Sequence, residues 1–226
     1  MCMERTARRA FVATLPVLTG YLVLGFGFGI LMHASGYGFL AALAMSVFIY
    51  AGSMQYVAIG LLTGGASFLT VAVTTLMVNA RHLFYGISML EAYRDVGARK
   101  PYMIFALTDE TYSLVCGDLP GESKSDYCFW VSLLNHLYWV TGSVLGVLAG
   151  NFIPFNSEGI DFALTALFLT VFLEQWLSAG KRIPALIGVA VSAACLVIFG
   201  SERFLIPAML VIALSLCLYG EVGKRG

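Results

Sequence analysis

Charge is what this sequence has least of. Between Phe11 and Ala80 there is not one Asp, Glu, Lys or Arg. Charged side chains make up 12% of the 226 residues, against about 25% in soluble domains. So few charges cannot cover a water-facing surface, which excludes an ordinary soluble domain and implies an integral membrane protein. The 13 basic and 13 acidic residues cancel, which leaves no basic footprint for a nucleic-acid partner. The three histidines are isolated. The five cysteines, Cys2, Cys116, Cys128, Cys195 and Cys217, lack any metal-ligand spacing. No metal or other cofactor is expected, and the cysteines read as free thiols packing as small hydrophobes. His-Glu-x-x-His is missing, and Ala51-Gly-Ser-Met-Gln55 lacks the second glycine of a serine elbow. Gly25-Phe-Gly-Phe-Gly29 lies in an apolar run with no strand before it, so it is not a nucleotide loop. An enzyme is not expected.

What is present is a series of apolar runs. A membrane-crossing helix needs about 20 mostly apolar residues. The runs are 11–32, 38–62, 68–90, 102–116, 127–153, 162–177, 183–200 and 204–219. The first is too long for the h-region of a signal peptide, about 7–15 residues, and reads as a retained span. The fourth is short. Fifteen helical residues reach about 22 Å, less than the ~30 Å hydrocarbon layer, so a re-entrant or tilted element fits there. Arg5, Arg8 and Arg9 put the N-terminus inside. Lys181, Arg182, Lys224 and Arg225 do the same for the 178–182 loop and the C-terminus. Eight full spans satisfy all of this but leave Arg94, Arg99 and Lys100 outside. One broken or re-entrant segment among runs two to four removes that conflict. The expected fold is an all-α polytopic bundle of seven or eight transmembrane segments. It forms a single domain over 1–226, with residues 1–10 and 221–226 cytoplasmic, in the bacterial inner membrane.

Polar residues interrupt these runs at few places, and a charge within a span costs at least ~2.5–3.5 kcal/mol on insertion scales. Met77-Val-Asn-Ala-Arg-His-Leu-Phe-Tyr-Gly86 carries Asn79, Arg81 and His82. Ser53 and Gln55 lie at the centre of the second run, Asp109 and Glu110 at the centre of the fourth, and Asn135 and His136 in the fifth. These nine are the candidate substrate-binding or coupling residues. Arg81 is suited to grip a carboxylate through two parallel hydrogen bonds. Asp109 or Glu110 is suited to load and release a proton, since burial raises a carboxyl pKa. Histidine is the side-chain type that changes charge near physiological pH, which makes His82 a further coupling candidate. The competing expectation is a purely structural pair, Arg81–Asp109 or Arg81–Glu110.

Two stripes of small residues are spaced for close helix crossing: Gly25/Gly29, and Gly142/Gly146/Gly150. The second is a groove for a helix of this chain or of a partner. Asn79-Ala-Arg-His-Leu-Phe-Tyr also echoes Asn135-His-Leu-Tyr-Trp if two residues are dropped. Such internal repeats build many transporters.

Ala51-Gly-Ser-Met-Gln55, Asn79-Ala-Arg-His-Leu-Phe-Tyr-Gly86 and Thr108-Asp-Glu-Thr111 together resemble the AzlC family, the large subunit of branched-chain amino-acid exporters. The order and spacing of the blocks match over nearly the whole chain. Met54 stands where the family has a small residue. The resemblance implies secondary export of leucine, isoleucine and valine, with methionine a further candidate. It also implies a small hydrophobic AzlD-type subunit as partner. The alternative is a channel-like or scaffold subunit whose buried polar residues are structural.

Overall fold

The structure is a computed structural model. It describes residues 2–94, 96–116, 124–152 and 182–200, with scattered positions among 169–177 and 204–219. The run at 162–177 and the 178–182 and 221–226 segments fall largely or wholly outside the described residues. Among those described there are helices and no strands. The chain divides into two compact units, Met1–Ile160 and Asp161–Gly226. The second contains an apolar helix, Ile183–Phe199, in the place expected for the seventh run.

The first unit is organised around two long helices, α1 (Cys2–Ala34) and α8 (Lys124–Gly150). Both are long and apolar enough to cross a bilayer. The arginine-rich start belongs to α1 rather than forming a separate tail, and Pro16 sits inside the helix, removing one backbone donor. The two helices run parallel. The Arg9 guanidinium lies over the Tyr127 ring at one end, and Gly150 meets His33 at the other. Between these ends the two glycine stripes face each other. A Cβ at Gly25 would come within 2.9 Å of the Trp139 carbonyl oxygen, and one at Gly29 within 2.2 Å of that of Ser143. A Cβ at Gly146 would stand 2.0 Å from the Phe26 carbonyl oxygen. The groove on α8 is therefore filled by α1 of the same chain. Backbone contact this close gains dispersion along both helices, and only glycine leaves room for it.

The sequence calls for one broken or re-entrant segment among runs two to four; the structure interrupts all three. Run two becomes α2 (Phe39–Phe48) and α3 (Gly52–Thr63). Between them Tyr50 adopts φ 46°, a left-handed value that a tyrosine holds only when its surroundings enforce it. The weak helix formers Gly52 and Ser53 follow. Run three becomes α4 (Phe68–Val78) and α5 (Ala80–Met89), with Asn79 at φ −91°, ψ 2° between them. Run four becomes α6 (Lys100–Phe105) and α7 (Asp109–Val115). There Thr108 turns extended and caps α7 by accepting the Thr111 N–H.

Contacts against α1 and α8 show where each piece leads. Helix α2 starts just beyond the His33/Gly150 end, and its Ser46 carbonyl reaches His136, near the middle of α8 (3.2 Å). After the turn at Tyr50, α3 heads back. Gln55 is level with Trp139, and Tyr56 bonds the Leu24 carbonyl and packs on Phe28. Thus α2 and α3 are the arms of a hairpin, tied by Gln55 Nε2 donating to Ser46 Oγ (3.3 Å). The α4–α5 pair then runs the length of the unit. Met89 and the following Tyr93 pack with Ala10, Met103, Cys128 and Val131 at the Arg9/Tyr127 end. From that end α6 climbs. Arg99 pairs with Asp126 at 2.5 Å, and Tyr102 reaches His136 at 3.1 Å. Helix α7 descends again, bringing Val115 back to Met103 and Cys128. So α6 and α7 form a second hairpin, entering from the opposite end to the first.

This arrangement also relieves the charge conflict. Arg99 and Lys100 lie at the same end of the unit as Arg9, not at the far end. The outer faces are strongly apolar, with Phe68 at 89% and Leu40 and Phe48 at 77% exposure, as expected of surfaces that meet lipid.

Trp139 holds the centre. Its indole N–H donates to Gln55 Oε1 (2.9 Å), and its ring packs on Tyr21, Phe28 and Gly52. Trp139→Phe keeps most of the apolar contact but leaves a fully buried amide oxygen unsatisfied. That costs about 1–3 kcal/mol. A thermal-denaturation scan in detergent should show a midpoint lowered by several degrees, whereas an unchanged midpoint would mean that the bond contributes nothing.

Candidate functional site

The interruptions of the three split runs meet halfway along the unit, and the candidate residues gather there. Ser53 is in the first turn of α3, Arg81 in the first turn of α5, and Asp109 is the first residue of α7. Arg81 joins them. Its Nη1 lies 2.6 Å from Asp109 Oδ2, and its Nη2 donates to Ser53 Oγ at 3.0 Å. The side chains of Arg81 and Asp109 keep 36% and 32% of their exposure, so the pair sits in a partly open niche rather than in a sealed core. The Arg81 Nε–H, by contrast, is buried without a partner, as is the Asn79 side-chain oxygen. Neither α3 nor α5 has a side-chain cap. Their first-turn N–H groups, together with the dipole of each helix, make this niche favourable to an anion.

Glu110 points elsewhere. Tyr21 donates its hydroxyl proton to Glu110 Oε2 at 2.6 Å and lies 2.8 Å from Thr108 Oγ1. Thr108 in turn bonds Thr111 (3.1 Å), whose hydroxyl accepts from Asn135 Nδ2 (3.0 Å). This chain of hydroxyls leads from α1 through the tip of the second hairpin to the core of α8. The buried Tyr50 hydroxyl faces the same group without a well-formed hydrogen bond, and Asn135 Oδ1 is likewise unpartnered. No cation pairs with Glu110 among the described residues, in contrast to Asp109.

The remaining candidates are tied into the framework. Gln55 is fully buried and bonded at both ends, to Ser46 and Trp139. His136 is clasped between the Tyr102 hydroxyl on one ring nitrogen and the Ser46 carbonyl on the other, with the Tyr50 ring 4.2 Å away. His82 turns its Nδ1 back to the Asn79 carbonyl (3.2 Å) and packs edge-on to Tyr85, so it does not join Arg81's partners. Of the two structural pairs weighed from the sequence, the structure forms Arg81–Asp109. Tyr21 was not foreseen: a lone tyrosine in a charge-free apolar run carries no signal of its own. Asn135 and Trp139 lie one turn apart on the buried face of α8.

The sequence profile described as AzlC protein matches residues 16–153. A Bacillus subtilis protein named "Branched-chain amino acid transport protein AzlC" is 46% identical over 91% of this chain and 82% of its own length. An uncharacterized membrane protein of Helicobacter pylori is 42% identical over 93% of both chains. The inner membrane protein YgaZ of Escherichia coli is 26% identical over 72% of this chain and 70% of its own. No solved structure matches.

Proposed function

The chain belongs to the AzlC family, and from that premise we propose that it is a secondary exporter of branched-chain amino acids. It works in the cytoplasmic membrane with a small hydrophobic AzlD-type subunit and is coupled to protons. The single observation that carries this reading beyond kinship is the Ser53–Arg81–Asp109 niche, where three helix starts meet around one guanidinium. An amino-acid carboxylate suits the Arg81 donors and the uncapped starts of α3 and α5. Both termini are cytoplasmic in this reading. Arg5, Arg8, Arg9, Arg99, Lys100 and Lys124 all belong to one end of the first unit, which the Lys/Arg bias assigns to the inside.

The two carboxylates divide the work. Asp109 is held by Arg81 and acts as the counter-charge that a substrate carboxylate competes with. Glu110, bonded to a tyrosine hydroxyl and without a cation, is the group able to take and give a proton as the hydroxyl chain rearranges. The test is counterflow of labelled valine in liposomes, with and without the small partner. Wild-type protein should exchange valine and export it down an imposed pH gradient. Glu110→Gln should abolish the gradient-driven flux but keep counterflow, whereas Asp109→Asn should lose both. A Glu110→Gln variant that still follows the gradient would place coupling elsewhere. Wild-type liposomes with partner that exchange no valine would favour a scaffold role.

A further inference from the structure

We infer that residues 39–89 and 95–145 are two inverted copies of one unit, and that the tips of their hairpins, at Tyr50–Ser53 and Ala106–Asp109, together form the substrate site and its two gates. This rests on the transport reading above for its functional half only. The order of parts is the same in both copies: a hairpin, then a long segment. An offset of 56 positions relates Tyr56 to Tyr112, Asn79 to Asn135 and Gly86 to Gly142. Identity along this register is otherwise sparse. The contacts are what make it more than coincidence. Ser53 and Asp109 are equivalent positions, and they hold the two ends of the same guanidinium, Nη2 and Nη1 of Arg81. Ser46 and Tyr102 are equivalent, and they hold the two ring nitrogens of His136. Gln55 and Thr111 are equivalent, and each ties its hairpin to α8, through Trp139 and Asn135 respectively.

The hairpins enter from opposite ends, so an approximate two-fold axis passes between their tips, near Arg81 and His136. In a bilayer this gives three crossings in the first unit, by α1, α4–α5 and α8, and two re-entrant hairpins that do not cross. One hairpin opens to each side. Backbone that is not helical is tolerated at that depth only where it is covered by protein or lines water, and here both tips converge on the partly open Arg81–Asp109 niche. Arg81 is the latch common to both gates. Ser53 ties it to the outer hairpin and Asp109 to the inner one. A substrate carboxylate on Arg81 competes with each.

Single cysteines in a variant lacking the five native ones decide this. In intact cells an impermeant maleimide should label Thr63→Cys, at the end of the first hairpin. It should label Ala98→Cys, before the second, only after permeabilisation. If every run crossed, the two results would be exchanged, and the inverted repeat would be overturned whatever the protein transports. Ser53→Cys then tests the site. Valine should slow its modification several-fold, while an unrelated hydrophilic amino acid should not. A Ser53→Cys thiol that no reagent reaches, or one that valine fails to protect while wild-type protein exchanges valine, would overturn the tips as the substrate site. Absence of wild-type exchange would count against the transport reading and leave the labelled topology standing.

Discussion

Gly146→Leu should abolish recovery of folded protein. A Cβ at this position would lie 2.0 Å from the Phe26 carbonyl oxygen and 2.8 Å from its Cα, and both belong to backbone that cannot step aside. Accommodating leucine means prising α1 off α8. That would break the Trp139 packing on Tyr21 and Phe28 and the Thr14–Tyr138 bond with it. Overpacking a core by a methylene or two costs typically 1–3 kcal/mol, and here a whole side chain meets rigid backbone. The yield of monodisperse protein from detergent should fall to near background, with or without the small partner. Gly20→Leu is the control. Gly20 lies on α1 with nothing near the added Cβ, and leucine favours a helix over glycine by about 1 kcal/mol. That variant should express and fold normally. If Gly146→Leu folds alone and fails only to co-purify with a partner, α1 does not fill the groove.

Arg81→Lys should leave the fold intact and cut export by about tenfold or more. The guanidinium spans two partners on different elements, Asp109 through Nη1 and Ser53 through Nη2. An ammonium is a single point on a flexible stem and cannot bridge both in the same geometry. A hydrogen bond to a charged group is worth about 1.5–3 kcal/mol, so losing one accounts for a factor of ten to a hundred. The measurement is valine flux in liposomes normalised to folded protein, with the elution profile as a check on folding. The contrast with Gly146→Leu is the useful part: one variant fails before it folds, the other after. Wild-type flux from Arg81→Lys would mean that Arg81 only anchors its helix.

How much of this was legible in the sequence differs from residue to residue. Membrane residence was, because seventy residues without a charge leave no alternative. The polar niche was too, since Arg81, Asp109 and Ser53 are conspicuous in apolar surroundings and had to find each other. Even the two glycine stripes announced a close crossing. Their pairing with each other did not show, because spacing marks the face of a helix and says nothing of what lies against it. Run four is short enough to read as re-entrant, but run two reads as one full crossing, since hydropathy counts apolar residues and is blind to direction. Only the left-handed Tyr50 and the extended Thr108 turn the chain back, and a tyrosine or threonine at such a point has no signature in composition. The roles of the carboxylates were equally hidden. Asp109 and Glu110 are neighbours in sequence, yet they project from the first turn of α7 about 100° apart. One therefore faces Arg81 on α5 and the other Tyr21 on α1. Sequence determined that charges lie in the membrane. Tertiary structure decided which of them is neutralised, because pairing depends on distance between helices that are far apart in the chain.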